Sequence, residues 1–326
     1  MEPSSYPAPV KRKSSSRYLL PIFLVALALF VFFIIIIVLL GALMSSARGR
    51  VALLDVQGVI YDARQIIEEL HFYEGNPAVR AIVIRIDTPG GSAAASQELF
   101  YEIYQIRKKR AKPVIASMGN VAASGGYYIA CGAEEIYANP ATLTGSIGVI
   151  MNFTNWEQLV DKIGIRFETV KSGQFKDIGS PNRPMTDNEK ELLQSVIDDV
   201  YGQFTDDVYQ SRRKGLERAF HALYPEEDDS STTDGLRQFM AGFTDGRIFS
   251  GRQAYEYGFV DHLGNLDDAL QRAGRLAGIK GRPRILQKKK PMKFFGLTQS
   301  RIDYILRSLS PDYPSLEYRY IPRNSP

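Results

Sequence analysis

Residues 81–110 read "AIVIRIDTPGGSAAASQELFYEIYQIRKKR". A β-branched run is followed by Thr88-Pro89 and a glycine pair, Gly90 and Gly91, and then by a segment whose apolar residues recur at helical spacing. The run predicts a buried strand over 81–87 and the spacing a helix over 92–110. The helix carries its basic residues near its C-terminus, as the helix dipole favours.

The unit recurs on both sides. Upstream, "VALLDVQGVI" (51–60) reads as a buried strand and "ARQIIEELHFYEGN" (63–76) as an amphipathic helix ending near Gly75. Downstream, "PVIASMG" (113–119) is a third strand, and in "NVAASGGYYIACG" (120–132) a second glycine pair stands directly behind Ser124, which begins the next helix. "EIYANPATLTGSIGVI" (135–150) holds another strand and a glycine-rich turn, "WEQLVDKIG" (156–164) is helical, and "RFETVKSG" (166–173) is a strand again. Strands alternating with helices predict an α/β fold with a parallel sheet. Both glycine pairs fall where a strand ends and a helix starts, the place where such sheets bind ligands.

From Lys171 the character changes. "KSGQFKDIGSPNRPMT" (171–186) is a polar loop interrupted by glycine and proline, and Thr186 with Glu189 forms a capping box opening a long helix through about Gly215. "PEEDDSSTTDG" (225–235) reads as an exposed acidic insertion, residues 243–274 as a turn, a helix and a short return segment, and 281–326 as a C-terminal tail in which "RIDYILRSL" (301–309) has a short amphipathic pattern.

At 326 residues the chain holds one large domain or two ordinary ones, plus appendages. A formal charge of +4 is only mildly basic, short of a nucleic-acid-binding signature. One cysteine, Cys131, excludes an internal disulfide framework and a multi-cysteine metal site, and histidine chemistry has three candidates, His71, His221 and His262. Residues 1–17 are basic and rich in Pro and Ser, a composition that stays disordered. Residues 18–44, "YLLPIFLVALALFVFFIIIIVLLGALM", contain no charge and outlast the apolar region of a cleaved signal peptide, so they predict a transmembrane anchor, with 45–50 as a linker. Lys11, Arg12, Lys13 and Arg17 precede it against Arg48 and Arg50 after it, which predicts a cytoplasmic N-terminus and an extracytoplasmic domain over 51–280.

A serine hydroxyl needs a base to become a nucleophile. None of the three histidines has a glycine-rich or polar, site-like context, and the G-x-S-x-G elbow of hydrolases is absent because Ala122 stands two places before Ser124. A lysine can serve if burial keeps part of it neutral. Most lysines here sit in charge runs or on helix faces. Lys176 differs, following Phe175 in a loop bounded by Gly173, Gly179 and Pro181, with Asp177 adjacent; after it the next candidates are His262 or another lysine such as Lys171. Acyl transfer also needs backbone N–H donors around an oxyanion, and Gly91 and Gly125 are the natural pair, although tight turns without chemistry would explain either glycine pair alone.

"IDTPGGSAAAS", "ASGGYYIACGAEEIYANPATLTGSIGVI", "KSGQFKDIGSP" with Met185-Thr186, and "DGRIFSGRQAYEYGFVDHLG" together resemble the signal peptide peptidase A family of Ser-Lys membrane proteases, over about Val51 to Ala277 and at the length of its short, single-repeat bacterial form. The resemblance implies a Clp-protease/crotonase-like fold, Ser124 as nucleophile, Lys176 as general base, Gly91 and Gly125 as oxyanion-hole donors, and neither cofactor nor metal. It further implies a ring-like homo-oligomer sharing each site between neighbouring subunits, a place in the bacterial inner membrane, and remnant signal peptides as substrates.

For other residues the structural reading leads. Cys131 is a small core residue, Asp87 and Thr88 shape the turn before Pro89, and Tyr127 and Tyr128 pack a helix or line the pocket. Ser146 is either a turn serine or a group that orients Lys176. "KKKPMK" (288–293) is a solvated face, with anionic lipid headgroups as its alternative partner. Two competing functions remain: a catalytically silent membrane scaffold on the same fold, and a hydratase-like enzyme acting on acyl thioesters. The first gives no reason for both Ser124 and Lys176, and the second needs carboxylate acid/base groups and a nucleotide pocket.

Overall fold

In the computed structural model, residues 19–46, 49–225, 233–288 and 317–319 are described. The chain divides into two units, Met1–Gly49 and Arg50–Pro326. The first contains one 28-residue helix, α1 (Leu19–Ser46), with no charged residue. Its side chains are described over 23–38, almost all of them exposed. Over the residues whose side chains are described, no helix is long and apolar enough to cross a membrane. The expected span over 18–44 is therefore not borne out by what is described. The 1–17 segment, residues 226–232 of the acidic insertion, the basic run from 289 and the 301–309 pattern lie outside the described residues.

The second unit begins with the repeated βα pattern: β1 (Arg50–Gln57), α2 (Arg64–Gly75), β2 (Val79–Thr88), a short β3 (Gly90–Ser92), α3 (Ala93–Lys108), β4 (Val114–Ala123), α4 (Gly125–Cys131), β5 (Glu135–Ala138) and β6 (Leu143–Gly145). There follow α5 (Glu157–Lys162), α6 (Asp187–Leu223), α7 (Thr233–Ala241), β7 (Ile248–Ser250), α8 (Gly251–Glu256), β8 (His262–Leu263), α9 (Leu266–Leu276), β9 (Arg284–Leu286) and β10 (Glu317–Arg319). The main sheet runs β7-β6-β4-β2-β1-β9, with β5 and β8 branching from β4, and every pair is parallel except β6–β7. The sheet is thus mixed where a parallel one was expected.

β1 and β2 are apolar at successive positions because both faces of the sheet are covered. Ala52, Leu54, Ile82, Ile84 and Ile86 enter the larger core with α2, α3, α4 and α6, while Val51, Leu53, Ala81 and Val83 pack against Ala269, Leu270 and Ala273 of α9. β4 serves two neighbours along one edge. Residues 115–117 pair with β5 and residues 121–123 with β6. Between these halves its register against β2 slips, and Asp87 fills the gap, accepting from Val121 N–H and Asn120 Nδ2 at 3.1 Å each.

Several expectations change. The stretch 135–150, read as one strand and a glycine-rich turn, holds two strands, since the backbone of β6 extends the β4 edge. Residues 166–173 form no strand: no ladder lies beside them among the described residues, and Val170 is fully exposed. The Thr186–Glu189 capping box forms, but α6 continues past Gly215, which lies back to back with Gly258, to Leu223. Beyond 280, β9 closes the outer edge of β1 and β10 pairs with β3.

α6 is fixed to the sheet by Arg212, 4% exposed, whose guanidinium donates to the Asp261 carboxylate that also accepts from Ile136 N–H. Removing one partner of a buried pair leaves an uncompensated charge, so Asp261→Asn is expected to cost about 3–5 kcal/mol. A shift in the urea midpoint followed by circular dichroism measures it.

Candidate active site

Ser124 sits between the last residue of β4 and the first of α4, with φ 55° and ψ −116°. A non-glycine residue there carries about 1–3 kcal/mol of strain. Its N–H donates to Gly145 O at 2.7 Å, and its carbonyl accepts from Tyr128 N–H at 2.9 Å. Hydrolase nucleophiles sit on such a strained strand-to-helix turn. Here the elbow forms without the expected glycine two places earlier, since Ala122 is fully buried between Thr88 and Thr144.

The two glycine pairs converge. α4 packs on β3 and on the end of β2. A Cβ on Gly126 would lie 2.7 Å from Thr88 Cγ2, so this glycine permits helix and strand to touch. Thr88 Oγ1 donates to Gly58 O and accepts from Gly90 N–H at 3.1 Å, which fixes the loop leading to Gly91. Gly91 pairs with Ile60 on one side only: Ile60 N–H donates to Gly90 O and Ser92 N–H to Ile60 O. In a parallel bridge of this kind the N–H of Gly91 faces the opposite edge. On that edge lies β10, antiparallel, with Tyr318 opposite Gly91.

The histidines are engaged elsewhere. His71 Nε2 lies 2.8 Å from Glu102, His262 Nε2 lies 3.2 Å from Glu135, and His221 is in the last turn of α6. The Cys131 thiol is fully buried, which pushes it up to about 12 and keeps it protonated. Tyr127 and Tyr128 are packing residues, the former donating to Phe259 O at 2.9 Å and the latter stacked on Phe204 at 4.4 Å.

Residues 106–221 match peptidase family S49, and residues 48–144 match Clp protease. A putative protease of Synechocystis sp. is 39% identical over 237 residues, covering 72% of this chain and 77% of that one. The chain belongs to peptidase family S49. Its fold is Clp-protease-like α/β, and its chemistry is that of a serine-type peptidase. A putative protease of Methanocaldococcus jannaschii is 33% identical over 239 residues (73% of this chain, 69% of that one). A putative signal peptide peptidase SppA of Enterococcus faecium is 31% identical over 239 residues (69% and 63%).

In this S49 peptidase Lys176 lies on the exposed loop between α5 and α6, and among the described residues its Nζ has no hydrogen-bond or ion-pair partner and no contact of that kind with Ser124. The burial expected for a lysine base is therefore missing within one chain. Lys171, the alternative, is held by Asp177 at 2.5 Å. Ser146, at φ 51°, follows the carbonyl that holds Ser124, and its N–H donates to Arg247 O at 2.7 Å, which explains its turn. Sequence reading missed the Asp177–Arg183–Glu189 ion cluster below this loop, although Arg183 and Glu189 straddle the capping box that it did find.

A Cβ on Gly91 would sit 2.1 Å from Ile60 O. Gly91→Ala is expected to displace the loop and slow labelling of Ser124 by a serine-directed fluorophosphonate on the order of 100-fold, as read by intact-mass spectrometry.

Proposed function

We propose that this S49 peptidase is a membrane-anchored endopeptidase with a Ser124–Lys176 dyad, completed across the subunit boundary of a ring-like homo-oligomer, that degrades signal peptides left in the bilayer. Lys176 takes the proton of Ser124 Oγ as the oxygen attacks the peptide carbonyl. The N–H groups of Gly91 and Gly125 hold the oxyanion, and the ammonium returns the proton to the leaving amine. Water, activated by the same lysine, then releases the acyl group. Ser146 orients the amine.

The carrying observation is the strained Ser124 beside a Gly91 whose N–H faces the edge on which β10 already lies as an added strand, a place a substrate strand takes by displacing it. Peptides bound as added strands use such edges. Assembly is supported by the arm bearing Lys176. Trp156, Leu159, Ile163, Phe167, Val170 and Phe175 are all exposed there, an apolar surface a second subunit could cover while desolvating the lysine. Anchoring is supported by the charge-free 28-residue α1, with Phe23, Phe30 and Phe33 more than half exposed. The substrate class is supported by the relative named as a putative signal peptide peptidase.

Ser124→Ala and Lys176→Ala proteins, each inactive, are expected to regain activity when mixed under subunit exchange, because some interfaces then pair an intact serine with an intact lysine. Exchange without recovery overturns the shared site. Lys176→Arg is expected to be inactive at every pH, since a guanidinium stays charged; turnover of an apolar signal-peptide mimic by this variant removes Lys176 from the mechanism.

A further inference from the structure

The loop that carries Lys176 has no regular secondary structure, yet it is cross-linked from within. Turns close it at Gly173 O, Phe175 O and Asp177 O, which accept from Lys176, Ile178 and Ser180 N–H. The ionic contacts are denser. Arg183 donates through Nε to Asp177 Oδ2 at 2.9 Å, through Nη1 to Glu189 Oε2 at 2.8 Å and Pro184 O at 3.0 Å, and through Nη2 to Glu189 Oε1 at 2.5 Å and Asp177 O at 3.2 Å. Five contacts match the five N–H bonds of a guanidinium. Glu189 is buried, caps the first turn of α6 through Thr186 N–H at 2.8 Å, and is held down to about 2, first by Arg183.

Asp177 follows Lys176 directly in the chain, but its carboxylate is committed elsewhere. Lys171 Nζ holds Oδ1 at 2.5 Å, Arg183 Nη2 lies 2.9 Å from the same oxygen, and Arg183 and Lys171 together keep the carboxyl well below its ordinary range. The alternation Lys171, Asp177, Arg183, Glu189 is charge-neutral and ends on the first turn of a 37-residue helix.

We infer that Arg183 is a positioning residue for Lys176: it anchors the loop to the start of α6 and, with Lys171, keeps the Asp177 carboxylate turned away from the Lys176 amine. The inference rests on Lys176 being the base. A lysine in that position would otherwise lack a carboxylate-free setting, since an ion pair with its own neighbour would hold it charged and out of reach of a serine. A planar five-donor fork is suited to this geometry, whereas an ammonium cannot span two carboxylates in the same way.

The test uses the full-length protein in detergent, with steady-state turnover of an apolar peptide and fluorophosphonate labelling of Ser124. Arg183→Gln is expected to lower kcat on the order of 100-fold with KM changed by less than about threefold. Arg183→Lys is expected to recover only part of that loss. In a Lys176→Ala background, Arg183→Gln is expected to leave the residual labelling rate unchanged, because a residue acting through the lysine has nothing left to position. An unchanged kcat in Arg183→Gln, or an equal loss in both backgrounds, overturns the inference while leaving the lysine assignment in place. Wild-type turnover by Lys176→Ala alone overturns the base assignment and this inference with it. If Arg183→Gln melts the start of α6, seen as a lower thermal midpoint, the near-isosteric Asp177→Asn, which loosens the anchor but removes the carboxylate that would capture Lys176, is expected to slow Ser124 labelling less than Arg183→Gln does, and a slowing that persists in the Lys176→Ala background overturns the inference.

Discussion

The chain must turn from strand to helix within the single residue Ser124, and the bond from its N–H to Gly145 O holds it in that turn. Around this constraint the neighbouring residue sizes make sense. Ala122 and Ala123 are small because β4 is flanked closely by β2 and β6, and Gly126 lacks a side chain because α4 lies on Thr88. Strain of this order persists only where the surroundings leave no relaxed alternative. Here α4 is buried throughout, and its tyrosines are fixed by Phe259 O and the Phe204 ring.

Much of this was legible in the residues. β-branched runs gave β1, β2 and β4, the helical spacings gave α2 and α3, and Thr186 with Glu189 marked the start of α6. The serine and glycine turns were legible because glycine next to a small polar residue at a strand end has few structural explanations. The arm was not. "RFETVKSG" has a strand composition, but a strand exists only with a neighbour to bond to, and no period in the sequence supplies one. Likewise β9 and β10 are three residues each, and their pairing is decided by distant partners, β1 and β3, which local pattern does not reveal. Whether Lys176 is desolvated is also decided by what covers its loop, and a polar stretch interrupted by glycine and proline does not name its cover.

The proposed machinery is held in two different ways. Ser124, Gly91 and Gly125 are fixed by sheet hydrogen bonds and core packing, which salt and pH scarcely touch. The Lys176 loop is fixed by charge pairs, of which Asp177 and Arg183 are partly accessible to solvent. Charge pairs of this kind weaken with ionic strength, whereas the packed half does not.

β9 also has a consequence for how the molecule is made. Arg50 stands beside Arg284, so the outer edge of β1, formed early in synthesis, has no partner until almost the whole domain has been translated. Pairings of such separation are slow to form, and a bare strand edge is a template for another chain. A product released before residue 284 would keep Ser124, Lys176 and both glycine turns intact and yet carry an open, adhesive sheet edge.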